Sequence, residues 1–308
     1  MLQSIEKSVL ATLAYFDVFD YPLTAGEIKK YLFYPGDNPK INTVDFQKIL
    51  RTRLGRYVGS VNGFYFLARR EHLVRLRLER YRLALGKLRR AKFFARLLGM
   101  LPFIRAIFVS NNLSYQNASE VSDIDFFILT APGRLWTARF FGNSLVRLLG
   151  LAPTRTRKKD KLCLNFLVSG EHADISRYML PDKEGIPDIH YIYWASQFLP
   201  LYGRDAAEKF FLANQWIKKY LPNYSPSVPA KGIPVRGSWI QKWPEKYNLK
   251  ESFWKNIQLR LLPPDVREMM NQDSRVIVSD EAIKLHTNDR RELYREKYIA
   301  TLGKLQSQ

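Results

Sequence analysis

The stretch Ser122-Asp123-Ile124-Asp125-Phe126-Phe127-Ile128-Leu129 constrains this chain more than any other. Side chains at i and i+2 of a strand point to one face, so Asp123 and Asp125 project together while Ile124 and Phe126 face the other way. The residues that follow are apolar on both faces, which predicts a buried strand. Two carboxylates side by side repel each other, and burial penalises both charges. A divalent cation removes that cost. Hard oxygen ligands at this spacing suit Mg²⁺ or Mn²⁺ carrying the phosphates of a nucleotide. A bare Asp-x-Asp is also common as ordinary charge at exposed strand starts, and the apolar strand behind it sets this pair apart.

The surroundings predict an α+β chain. After Pro102, residues 104–109 read as a buried strand, 110–122 as a polar loop and 123–130 as the acidic-headed strand. Pro132-Gly133 leads into a helix over 134–149, with Trp136, Phe140 and Val146 as core residues. A basic loop, 155–159, precedes a further strand over 162–168. Strand, strand, helix, strand is a mixed core, assigned to residues 101–183.

Ahead of it, residues 4–20 predict a helix stopped by Tyr21-Pro22, and Thr24 with Glu27 forms a capping box opening a second helix through Leu32. Thr43 is placed to cap a third, 44–54, whose polar side carries Lys48, Arg51 and Arg53. Strand-like runs at 57–59 and 64–67 flank Asn62-Gly63, a hairpin-turn dipeptide. Three short helices and a hairpin predict a winged helix-turn-helix over 1–70, with Lys48, Arg51 and Arg53 as nucleic-acid contacts.

Residues 71–100 predict a long connecting helix, with Val74, Leu78, Tyr81, Leu85 and Leu88 as its apolar stripe. Arg75, Arg82, Arg89 and Arg96 line up beside that stripe, as either a solvated face or a nucleic-acid stripe. Residues 189–202 and 205–220 read as helices of a cap over 184–222. Pro222, Pro226, Pro229 and Pro234 mark a linker assigned to 223–250. A C-terminal helical extension over 251–308 is expected, with helices at 250–262 and 279–305.

The chain has 308 residues, enough for more than one packed unit, and 46% hydrophobic with 25% charged residues excludes disordered and fibrous classes. Its 49 Lys and Arg against 29 Asp and Glu give +20, which attracts polyanions: nucleic acid, nucleotides or anionic headgroups. The single cysteine, Cys163, excludes an internal disulfide and a zinc cluster and fits a reducing compartment; between Leu162 and Leu164 it reads as a small core residue. Residues 1–7 lack the plan of a signal peptide, and the apolar run 97–110 is interrupted by Pro102 and Arg105, so no membrane span and a cytoplasmic location are expected. His172 and His190 read as structural.

The Asp-x-Asp pair and its strand resemble the DNA-polymerase-beta-type nucleotidyltransferase superfamily, whose motif is Gly-Ser, a spacer of about ten residues, then Asp-x-Asp. Here Asn111-Asn112 stands at the Gly-Ser position. The segments Tyr15-Phe16-Asp17-Val18-Phe19-Asp20-Tyr21-Pro22, Gly63-Phe64-Tyr65, Gly133-Arg134-Leu135-Trp136 and Cys163-Leu164-Asn165 look like bacterial proteins that join a winged helix to such a domain. The resemblance implies a nucleoside triphosphate as substrate, Mg²⁺ or Mn²⁺ on Asp123 and Asp125, and nucleotide contacts from Asn111, Asn112, Ser122 and Arg134, with Arg139 nearby. It places Asn165 where a third catalytic carboxylate is usual, with Asp160 or Asp174 as substitutes. The acceptor is a nucleic acid, a protein hydroxyl or a small molecule. The departures at Asn111, Asn112 and Asn165 keep open a different class: a nucleic-acid-binding regulator whose transferase domain has lost catalysis.

Overall fold

The computed structural model describes residues 4–34, 43–154, 156–227 and 250–306, and it is mixed α and β. Its first segment contains helices α1 (Ser4–Asp17), α2 (Ala25–Lys30) and α3 (Thr43–Lys48), the last continuing as a wider π-turn through Arg53. α1 ends at Asp17, short of the expected Asp20. Strands β1 (Leu23–Thr24), β2 (Val58–Val61) and β3 (Phe64–Leu67) form an antiparallel sheet in the order β1-β3-β2. Asn62 and Gly63 both take positive φ, 52° and 79°, as a two-residue hairpin turn demands. The capping box at α2 is reciprocal: the Glu27 amide donates to Thr24 Oγ1 at 3.3 Å, and the Thr24 amide donates to Glu27 Oε2 at 2.8 Å.

Helix α4 (His72–Gly99) buries Val74 and Leu88 of the expected stripe but not the residues between them. Leu78, Tyr81 and Leu85 are 45%, 40% and 38% exposed, while Val74, Arg77, Ala84, Leu88, Ala91, Ala95 and Leu98 are buried. Alanines allow close approach of the helix to the sheet, and Arg77 and Lys87 find charged partners on that side. Arg75, Arg82, Arg89 and Arg96 are exposed. Arg77 joins α4 to the first segment. Its guanidinium donates to both carboxylate oxygens of Glu27, at 2.7 and 3.1 Å, and lies 3.9 Å from the centroid of the Tyr21 ring.

The main sheet comprises β4 (Ile104–Val109), β5 (Ile124–Thr130), β6 (Leu162–Ser169), β7 (Leu199–Tyr202), β8 (Val276–Val278) and β9 (Ala282–Leu285), in the order β7-β4-β5-β6-β9-β8. Only the β5–β6 pair is parallel. Helices α5 (Asn111–Ser114), α6 (Leu135–Leu148), α7 (Ile189–Ser196), α8 (Arg204–Ala213), α9 (Glu251–Arg260), α10 (Pro264–Glu268) and α11 (Arg291–Gln306), with short 3-10 turns at Gly170–His172, Ser176–Tyr178 and Gln215–Lys219, complete the described elements. On one face of the sheet Phe108, Phe127 and Phe166 pack with Trp194, Phe198 and Phe210, continuous with the core of α1. On the other, Ile107, Phe126, Ile128 and Leu164 pack with the alanines of α4 and with Trp136 of α6. β5 is therefore covered on both sides, as its sequence requires.

Two expectations are corrected. Residues 199–202 do not continue the helix of a cap but form an edge strand on β4, where Pro200 is tolerated because an edge needs no inward amide at that position. Residues 276–285 are a hairpin pairing through β9 with β6, so the C-terminal part is not purely helical and its last helix starts at Arg291, not at Ser279. Val276-Ile277-Val278 and Ile283 supply the β-branched side chains this strand pair favours. A buried ionic network fixes the junction: Arg291 donates to Asp289 and to Asp188, which caps α7, and Lys284 donates to Asp289 at 3.1 Å. Most of the expected linker, 228–249, lies outside the described residues. No described helix is long and apolar enough to cross a membrane.

Replacing Arg77 with Ala leaves Glu27 without its cationic partner, and we expect a loss of about 3–5 kcal/mol, measured by denaturant unfolding. Arg77→Lys is expected to recover only part of it, because an ammonium cannot reproduce the fork to Glu27 or the stacking on Tyr21.

Candidate metal and nucleotide site

The site is built from the backbone of the two central strands. Ile124, Phe126 and Ile128 point to the α4 and α6 side, so Asp123 and Asp125 point to the aromatic side, where α7 packs. In the parallel ladder Ile124 pairs with Leu162 and Asp125 with Cys163, but Phe127 pairs with Phe166. β6 thus carries one extra residue between these pairs, a bulge. Cys163 is seated beside Asp125, and the ligand atoms of Asp123, Asp125 and Cys163 lie within 4.8 Å of one another.

Two polar devices hold the carboxylates. Asn111, in the left-handed region with φ 55°, donates from Nδ2 to Asp125 Oδ2 at 2.8 Å and accepts at Oδ1 from Trp194 Nε1 at 2.8 Å. Trp194 in turn stacks on Phe166, 5.7 Å between centroids and 9° between planes. The aromatic core therefore orients Asp125 through Asn111. Lys87, 6% exposed on α4, donates to the Ser122 carbonyl at 2.8 Å, to the Glu120 carbonyl at 3.1 Å and to Asp160 Oδ1 at 2.6 Å. It clamps the turn before β5 to the turn before β6.

The carboxylates open onto a cavity of about 520 Å³. Asn111, Asn112, Ser122, Lys158 and Asn165 line it near the acids; Tyr15, His190, Gln197, His286, Arg290 and Tyr294 line the remainder. Burial, then the charge of Asp123, pushes the Asp125 carboxyl up to about 6, while Asn111 and Cys163 hydrogen bonds oppose the rise. Burial also raises Asp123, against the pull of Lys158 and Lys87. Burial, with the two carboxylates beside it, pushes the Cys163 thiol well above its ordinary value. His190, whose Nδ1 lies 3.1 Å from the Tyr15 hydroxyl, is driven down to about 3 by burial and is neutral at pH 7.

Asp123, Asp125, Asn111, Asn112, Ser122 and Asn165 are all brought to one cavity. Their parts differ from those expected. Asn111 is committed to Asp125 and Trp194. Ser122 donates its hydroxyl to the Ser119 carbonyl at 2.9 Å. Asn112 accepts from the Tyr115 hydroxyl at 2.6 Å. Cys163, opposite Asp125 on β6, joins the two acids in one cluster as well as being buried, and Asn165 lines the same cavity.

Arg134 and Arg139 are not brought there. Arg134 sits past the far end of β5 with its guanidinium 5.2 Å from the Phe103 ring centroid, and Arg139 donates to Gln258 at 2.7 Å. The start of α6 is already occupied by the Glu251 carboxylate, which accepts from the Trp136 amide at 3.0 Å. Asp160 pairs with Lys87, and Asp174 accepts from the Ser176 amide at 2.8 Å. Lys48 is exposed on α3, and the side chains of Arg51 and Arg53 lie outside the described residues. His172 faces Glu281 at 3.7 Å, whereas His190 is a cavity wall rather than a distant core residue. Sequence reasoning missed Trp194, Gln197 and the 284–291 segment, since nothing in their spacing ties them to residue 125.

A carboxyl whose folded pKa is raised stabilises the fold fully below its unfolded value near pH 3.8 and loses that contribution as pH rises through about 6. Asp125→Asn is therefore expected to raise the Tm at pH 7.5 by roughly 3–6 °C. The gain should vanish toward pH 4, checked by thermal unfolding across that range without divalent metal.

Comparison with family models, with curated proteins and with solved structures finds no match to this chain.

Proposed function

We propose that the chain is a nucleotidyltransferase-like protein that transfers a nucleoside monophosphate from a nucleoside triphosphate to an acceptor hydroxyl. The observation that carries this reading is the pair of carboxylates, Asp123 and Asp125, aimed from the head of one strand into a cavity of about 520 Å³. The donor set fits a divalent cation: two acids raised by burial, one of them also by its neighbour's charge, regain their charged forms when a cation sits between them. Asp123 and Asp125 would hold Mg²⁺ or Mn²⁺, which supplies charge stabilisation at the triphosphate.

The chain's own residues do the rest. Asn111 fixes the Asp125 carboxylate, and Lys87 fixes the turn that presents Asp123. Lys158, on the cavity wall, neutralises phosphate oxygens, and Asn112 offers its Nδ2 hydrogens to them. The acceptor oxygen bonds to the α-phosphorus in line, the bond from α-phosphorus to the bridging oxygen breaks, and pyrophosphate leaves. Asp123 takes the hydroxyl proton. The first segment, three helices with a hairpin, reads as a winged helix-turn-helix that docks nucleic acid or an acceptor protein, and the +20 charge supports a polyanionic partner.

One observation favours a second reading. Among the described residues, the three-member cluster has no third carboxylate, which fits a regulator that keeps nucleotide or nucleic-acid binding without turnover.

Incubation with each α-labelled nucleoside triphosphate, Mg²⁺ or Mn²⁺, and RNA, protein or small-molecule acceptors should give labelled product. Asp123→Asn with Asp125→Asn should lower it at least about 100-fold. Transfer that survives the double substitution contradicts the enzyme. The regulator predicts instead no transfer and nucleic-acid affinity that falls steeply with salt; no affinity at low salt contradicts it.

A further inference from the structure

Helix α4 carries a surface that the cavity does not use. Leu78, Tyr81, Leu85 and Phe93 are 45%, 40%, 38% and 63% exposed, large apolar side chains that no part of the described chain covers. Arg82, Arg89, Lys92 and Arg96 are exposed beside them, and among the described residues none of these cations meets an acid. At 3.6 residues per turn, both sets fall within about a third of the helix circumference. The result is a single face, about 30 Å long, in which apolar tips and unpaired cations alternate. The one acid in the helix, Glu79, lies at the edge of that face and pairs with Arg75 at 3.4 Å.

The face is held from behind. Ala84, Ala91 and Ala95 are buried in the core under the main sheet, Arg77 pairs with Glu27 and Lys87 with Asp160. The helix is therefore formed before any partner arrives, and binding costs no helix nucleation. Charge and apolar area together select the partner. The same face of a second copy brings the same cations and is repelled. Nucleic acid satisfies the cations with its phosphates but leaves Leu78 and Leu85 against a charged backbone, whereas such interfaces are polar. A protein groove would need an acid for every cation it buried. An anionic bilayer satisfies both sets at once: apolar tips enter between the headgroups while long Arg and Lys stems keep their charges at the phosphates. The +20 charge of the chain adds attraction at longer range.

We propose that α4 is a peripheral docking face for an anionic lipid surface, on which it lies without crossing, with Leu78, Tyr81, Leu85 and Phe93 at headgroup depth and Arg82, Arg89, Lys92 and Arg96 on lipid phosphates. The inference stands apart from the transfer reaction. Asp123→Asn with Asp125→Asn therefore binds vesicles as the wild type does.

Cosedimentation of the full-length protein with vesicles of phosphatidylcholine alone, or of phosphatidylcholine with phosphatidylglycerol, tests this. At about 0.1 M salt the anionic vesicles should bind at least about tenfold more tightly, and less so as salt rises. Arg82→Glu with Arg89→Glu should weaken that binding at least about tenfold. Leu85→Ser with Phe93→Ser, which leaves the charge unchanged, should weaken it at least about fivefold. All four positions are exposed, so thermal unfolding should match the wild type. A wild type that does not prefer the anionic vesicles overturns the proposal, whatever the variants do. Loss on charge reversal with none on Leu85→Ser and Phe93→Ser also overturns it, because the apolar tips then make no contact. Single-stranded RNA bound through Arg82 and Arg89, with no vesicle binding, assigns the face to nucleic acid and overturns it as well.

Discussion

The parallel pairing of β5 with β6 is the constraint on which the rest of the structure depends. These are the two central strands, and both faces of their sheet are covered, so a one-residue slip would turn Asp123 and Asp125 into the apolar packing of α4 and α6. Their register seats Asp125 against Cys163 and carries a one-residue bulge between Cys163 and Phe166. Each later addition to the sheet builds on this pair: β4 and then β7 on one side, β9 and then β8 on the other. The acids are held at the head of a strand that cannot move.

What surrounds the acids explains why a costly arrangement persists. Asn111 and Trp194 connect Asp125 to the aromatic core, and Lys87 connects the preceding turn to α4. These contacts raise no barrier to a cation from the cavity side, because they approach through the backbone turn and through a single carboxylate oxygen. The arrangement is strained electrostatically and rigid mechanically, the combination expected where a site is preorganised for a charged ligand.

Much of this was legible in the sequence, for local reasons. The apolar run after Asp125, the Thr24–Glu27 capping box and the Asn62-Gly63 turn each act within a few residues, and the chain adopts them where expected. Non-local features were less legible. Leu199 to Tyr202 carries no alternation that separates an edge strand from the end of a helix, and it becomes a strand because β4 offers an open edge. The stripe of Leu78, Tyr81 and Leu85 has helical period yet faces solvent, because Arg77 and Lys87 have buried ionic partners on the other side of α4. Within the site, Asp123 and Asp125 were readable from their spacing. Cys163 was not, since its place opposite Asp125 is set by the β5–β6 register and not by its own neighbours in sequence.

The most direct test is anomalous diffraction from crystals grown with Mn²⁺ and a non-hydrolysable nucleoside triphosphate. The account predicts an anomalous peak bridging Asp123 and Asp125, with triphosphate density beside Lys158 in the adjoining cavity. Ordered nucleotide and manganese elsewhere on the molecule, with the two carboxylates bare, would contradict it.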